Sequence, residues 1–74
     1  MSADPVPTGP IDTMPKGFVP GAEQQKQLLS ALAAAGVELG TYDQRIVEWV
    51  AGWDWSTVAT ITSWVKRAGD QPNP

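Results

Sequence analysis

Apolar residues recur at helical spacing in three stretches of this chain, all of them after residue 21. In "AEQQKQLLSALAAA", residues 22–35, Leu28, Leu29 and Leu32 form a stripe that Gln25 and Ala35 extend. Steps of three and four mark one face of an α-helix. Ala, Gln, Lys, Leu and Glu are also strong helix formers. Gly36 stands where a left-handed residue ends a helix, and Val37 follows it as in a Schellman ending.

A second helix is predicted to begin at Thr41, where Thr41 and Gln44 have capping-box spacing. At ~100° per residue, Tyr42, Ile46, Trp49, Val50 and Trp53 fall within an arc of about 100°, leaving Gln44, Arg45, Glu48 and Ala51 outside it. That arc is the expected core face, with Trp49 and Trp53 buried one turn apart. A third helix is predicted from Trp55 to Ala68. Asp54 suits its N-cap, Lys66 and Arg67 suit the negative end of its dipole, and Gly69 suits its end. Val58, Ile61, Val65 and Ala68 mark its inner face. "TVATIT" also reads as a β-branched strand of period two. Helix signals at both ends, and the lack of a partner strand, favour the helix.

The expected fold class is all-α: a small three-helix domain, residues 22–69, behind an extended Pro/Gly-rich N-terminal arm, residues 1–21, with a disordered tail, residues 70–74. The arm holds five of the seven prolines, which remove amide donors and push the preceding residue out of helical geometry. A flexible tail is the simpler expectation for it. The alternative is a binding arm that orders on its own domain, a second subunit or a partner, using Ile11, Met14, Phe18 and Val19.

All four tryptophans fall between residues 48 and 64. Trp55 and Trp64 project about 80–100° to either side of the inner face of helix three. Three explanations compete for this flanking pair. A self-association or partner interface comes first, built from Trp55, Trp64 and Phe18, because tryptophan is enriched at interface hot spots. Packing against the arm comes second, and covering the turn "AGWD" third.

Composition narrows the chemistry. Seventy-four residues make one small domain. Without cysteine or histidine there are no disulfides, thiol nucleophiles, Cys or His zinc ligands or Ser-His relays. The eight carboxylates are scattered rather than gathered into a binding loop. No catalytic residue, metal, cofactor or small-molecule substrate is expected, and the chain is read as not an enzyme. The most apolar run, Leu28–Val37, falls well short of the ~18–20 residues of a membrane span. "MSADPVPTGP" lacks the basic and apolar regions of a signal peptide, so a cytoplasmic location is expected.

The net charge of −3 disfavours nucleic acid without excluding it. A helix-turn-helix reading would set Ser56, Thr57 and Thr60 toward a groove, with Arg45, Lys66 and Arg67 on phosphate. The presumed recognition helix carries no Arg, Asn or Gln in its first ten residues to make bidentate base contacts.

The stretch "GVELGTYDQRIVEWVAGWDWSTVATITSWVKRA" resembles small helical proteins of actinobacteria and their phages. Gly36, Gly40, Tyr42, Asp43, Arg45, Ile46, Trp49, Ala51, Gly52, Trp53, Asp54, Thr57, Val58 and Ala59 carry the likeness, over about half of the chain. It implies a phage or mobile-element accessory protein that acts by binding in a bacterial host cell. That family has no known activity, so no functional residue is carried over. The expected function is thus a non-catalytic, self-associating or partner-binding interaction module. A helix-turn-helix DNA-binding protein and a virion structural component are the alternatives.

Overall fold

Gly36 ends the first helix as its position predicts. In the computed structural model, which describes residues 3–70, α1 spans Gly21–Ala34. Gly36 sits at φ +80°, and its N–H and that of Val37 donate to the carbonyls of Ala33 and Leu32, both at 3.0 Å. Those two bonds are the Schellman pair, and they require a left-handed residue at this point. The inner face of α1 is Gln24, Leu28 and Ala31. Its polar end is therefore Gln24, one residue before the expected Gln25.

Helix α2, Thr41–Val50, begins where predicted but under a different cap. Gly40 is the N-cap, and its N–H donates to the Asp43 carboxylate at 2.9 Å. Thr41 is thus the first helical residue, and the expected Thr41–Gln44 exchange does not form. The buried face also differs from expectation. Val47 and Ala51 are buried and Val50 is half-buried, whereas Tyr42, Ile46, Trp49 and Trp53 are exposed. The aromatic arc faces outward. Small residues explain the rotation, because Ala51 lets α1 come close. A Cβ placed on Gly21 would stand 3.4 Å from the Ala51 carbonyl oxygen.

Helix α3, Trp55–Asp70, settles the ambiguity at "TVATIT" in favour of helix. Its buried residues are Trp55, Val58, Ala59, Thr62 and Ser63, so the inner face is turned away from the expected Ile61, Val65 and Ala68. Helix α3 also runs through Gly69 instead of ending there. A Cβ on Gly69 would meet that of Ala35 at 3.0 Å, so this glycine serves a close approach between helices. The same contact shows that α1 and α3 run parallel. The start of α1 bonds the residues just before α3, and its end lies against Gly69. Helix α2 is the antiparallel return between them. The four residues beyond Asp70, expected as part of a disordered tail, lie outside the described residues. Among the described residues no helix is long and apolar enough to cross a membrane.

The arm lies along its own helices. Asp4 and Lys16 pinch it into a loop. The Asp4 N–H donates to the Lys16 carbonyl, and the Lys16 N–H to the Asp4 carboxylate, both at 2.8 Å. The loop lies along α3: the Trp55 indole N–H donates to the Asp4 carbonyl at 2.9 Å, and the Ser63 hydroxyl to the Pro7 carbonyl at 2.7 Å. Ala3, Val6 and Val19 of the arm, with Val50 of α2, pack against Trp55, Val58 and Ala59. Trp55 is only 4% exposed. Burying an indole of ~200 Å² contributes roughly 5 kcal/mol gross at ~25 cal/mol/Å².

The loop closes through Gly17, at φ +111°, where a Cβ would collide with Ala3. Gly17→Ala should therefore destabilise the fold by about 1–3 kcal/mol through positive-φ strain and steric clash. Gly9→Ala, with open space around it, should change stability by less than ~0.5 kcal/mol. Urea denaturation followed by tryptophan fluorescence checks both.

Candidate interaction surface

Helix α2 is fixed in its rotation by a buried side chain of α1. Gln24 is 2% exposed, and its Nε2 donates to the Ala51 carbonyl at 2.7 Å and to the Trp53 carbonyl at 2.8 Å. A carboxamide has two donor hydrogens, and both are engaged here. They satisfy the carbonyl of Ala51, the C-cap of α2, and that of Trp53 in the turn beyond it. The turn that follows is wound tightly, with the Gly52 and Trp53 N–H groups donating to the carbonyls of Trp49 and Val50 at 3.1 and 2.9 Å. With Val47, Ala51 and Gln24 turned inward and Val50 half-buried against the core, the large apolar residues Tyr42, Ile46, Trp49 and Trp53 face solvent.

The result is a stripe of four large side chains: Tyr42 73% exposed, Ile46 40%, Trp49 62% and Trp53 49%. The Trp49 and Trp53 rings meet edge to face, with centroids 5.5 Å apart and planes at 83°. Tyr42, Ile46 and Trp49 lie on α2 and Trp53 in the tight turn just beyond it, so at ~1.5 Å per residue, slightly more through the turn, the stripe is roughly 16 Å long. By the usual burial of ~150–250 Å² per aromatic side chain, it leaves on the order of 400–500 Å² of apolar surface in water.

The residues first assigned to an interface are not brought together. Trp55 lies beneath the arm and is unavailable to a partner, so its assignment is corrected: the second explanation, packing against the arm, accounts for it. Trp64 is 59% exposed and lines a groove between α3 and Ile11–Pro15 of the arm. Phe18, 80% exposed, does not line that groove. Sequence reasoning missed the four residues of the α2 stripe as a surface because it placed them in the core. The available signal was Val47, Val50 and Ala51, a second apolar face on the same helix.

The helix-turn-helix residues are largely occupied within the chain. The Ser56 and Thr57 hydroxyls both donate to the Asp54 carboxylate, that of Thr57 at 2.9 Å. The Thr60 hydroxyl donates to the Ser56 carbonyl at 2.7 Å, and Arg67 Nε to the Ser63 hydroxyl at 3.1 Å. Arg67 lines the groove beside the arm, while Lys66 lines a separate groove of about 350 Å³ between α1 and α3. These two cations therefore do not share one phosphate-facing surface. Arg45 is exposed on α2. Among the described residues no three carboxylates gather in a cluster fit for a metal ion.

Compared with family models, with curated proteins and with solved structures, the chain matches none.

Gln24→Leu would strip the partners from two carbonyls and should destabilise the fold by about 2–4 kcal/mol, measured by urea denaturation. Its signature should be a Trp53 environment that changes before global unfolding. Asp54 gives a pH-dependent check. The Ser56 hydroxyl first, and then that of Thr57, hold its carboxyl below the ordinary value of 3.8. A depressed folded-state value means that the stabilisation is present above 3.8 and is lost as the pH falls through the lower folded value. The melting temperature of the wild type should exceed that of Asp54→Asn at pH 6, and the two should converge in strong acid.

Proposed function

We propose that this chain is a non-catalytic protein-interaction module that docks through the outer face of α2. One observation carries the reading: Tyr42, Ile46, Trp49 and Trp53 form a continuous exposed stripe while smaller residues fill the core. Its area is in the range of ~300–600 Å² typical of the largest, often functional, patch on a monomer. Tyrosine and tryptophan are also the side chains most enriched at interface hot spots, since they bury much area while losing few torsions. The surface thus moves from Trp55, Trp64 and Phe18 to α2. Trp64 on α3 and Phe18 in the arm are also exposed and are proposed as secondary contacts. An accessory role in a phage or mobile element is the biological setting that the sequence resemblance implies.

The reading is non-catalytic because no histidine or cysteine is present and the hydroxyls near Asp54 serve the start of α3. Nucleic-acid binding has weaker support, since Lys66 and Arg67 line different grooves.

Immobilised wild type, Trp49→Lys/Trp53→Lys and Lys66→Ala/Arg67→Ala, each exposed to an actinobacterial extract, separate the two readings. The interaction reading expects a specific protein to be retained by the wild type and the Lys66/Arg67 variant, and reduced at least ~10-fold by the tryptophan variant, a loss of ~1.4 kcal/mol or more. Far-ultraviolet circular dichroism should be unchanged, because both indoles are exposed. Retention of nucleic acid that vanishes with added salt and in the Lys66/Arg67 variant would overturn the proposal.

A further inference from the structure

We infer that the α2 stripe is occupied by a second copy of this chain, its α2 packed antiparallel about a two-fold axis passing between residues 47 and 48. The inference rests on the reading of α2 as the docking face and identifies its partner.

The spacing carries it. Tyr42, Ile46, Trp49 and Trp53 are separated by four, three and four residues, a series that is the same read in either direction. A two-fold contact uses one patch on both subunits, so that residue i meets j and j meets i. Turned end over end about its midpoint, this stripe sets Tyr42 of each copy opposite Trp53 of the other. Ile46 of each copy likewise meets Trp49 of the other. All four positions find apolar partners in a single register. Tyr42, Ile46 and Trp49 lie on α2 at the a/d spacing of a coiled coil, and Trp53 follows in the turn beyond it with its ring against that of Trp49.

Charge permits the same register. The charged residues along α2 are Asp43, Arg45 and Glu48. Reversal about the midpoint puts them level with Gly52, Val50 and Val47 of the other copy, so none meets a like charge at its own level. Parallel pairing in register would place each beside its own copy, Asp43 by Asp43 and Arg45 by Arg45. Area agrees too. Two stripes of on the order of 400–500 Å² each bury about 900 Å², close to the ~1,000 Å² at which a specific interface begins and fitting a weak, concentration-dependent pair.

The experiment joins sedimentation equilibrium, from about 5 to about 500 µM, with cysteine cross-linking. The chain has no cysteine of its own, so introduced ones report alone. The wild type should pass from one to two chain masses across this range. Ile46→Lys/Trp49→Lys should remain monomeric throughout with unchanged circular dichroism. Under mild oxidation, Tyr42→Cys mixed with Trp53→Cys should form a disulfide-linked pair. Tyr42→Cys alone should not, because antiparallel pairing sets its two copies about 16 Å apart along the axis.

A wild type that stays monomeric at the highest concentration overturns the second copy, and leaves α2 as a face for a different protein. A dimer unaffected by Ile46→Lys/Trp49→Lys overturns the second copy on this stripe and the docking reading of α2 together. Ready self-linking of Tyr42→Cys overturns the antiparallel arrangement.

Discussion

The indole of Trp55 is the seat on which the arm, the end of α2 and the start of α3 all rest. With Val58 and Ala59 it forms the cluster against which Ala3, Val6 and Val19 of the arm and Val50 of α2 pack. Its N–H takes up the carbonyl of Asp4. A proline-rich segment has few amide donors, so its carbonyls must find partners elsewhere when it packs. Trp55 and Ser63 supply two of them from α3. The arm is therefore matched to α3 in polar groups as well as in shape. Its prolines also restrict the unfolded chain, which lowers the entropy lost when the arm docks. Three short helices without that strip would leave Val58, Ala59 and Ser63 open to water.

The choice of buried face on α2 shows that hydrophobicity alone does not decide which side of a helix turns inward. Trp49 and Trp53 offer far more apolar area than Val47 and Ala51. Inward-facing indoles would hold α1 and α2 too far apart for Gln24 to reach the carbonyls of Ala51 and Trp53. Gly21 at the start of α1 and Ala51 at the end of α2 come close, and the buried hydrogen bonds of Gln24 then fix the rotation. An unsatisfied buried carbonyl costs about 1–3 kcal/mol. Two of them together outweigh much of what an indole contributes by leaving water.

Helix existence was legible from local signals. The lone glycine at residue 36 announced the end of α1, and the steps of three and four announced all three helices. Helix phase was harder to read. The inner face of each helix sits one or two residues from the most apolar arc: Gln24 in place of Gln25, Val47 and Ala51 in place of Trp49 and Trp53, Ala59 and Thr62 in place of Ile61 and Val65. On α2 and α3 a smaller or hydrogen-bonding residue won over a larger apolar one, because fit between neighbouring helices is a property of pairs that one segment cannot display. The arm was illegible for a related reason. Prolines state that a segment is extended but not what it lies on, and the contacts that order it join residues far apart in the chain. Trp55 was read as a boundary residue for want of that strip, and the stripe on α2 was recognised as apolar but assigned to the inside.

The bonds from Trp55 to Asp4 and from Ser63 to Pro7 span 51 and 56 positions of the chain. The arm leaves the ribosome before the residues it will lie on have been made. The strip over α3 closes only after α3 itself has emerged. Closing so large a loop carries an entropic barrier that local helix formation does not. During synthesis the arm therefore has no seat until α3 has left the ribosome.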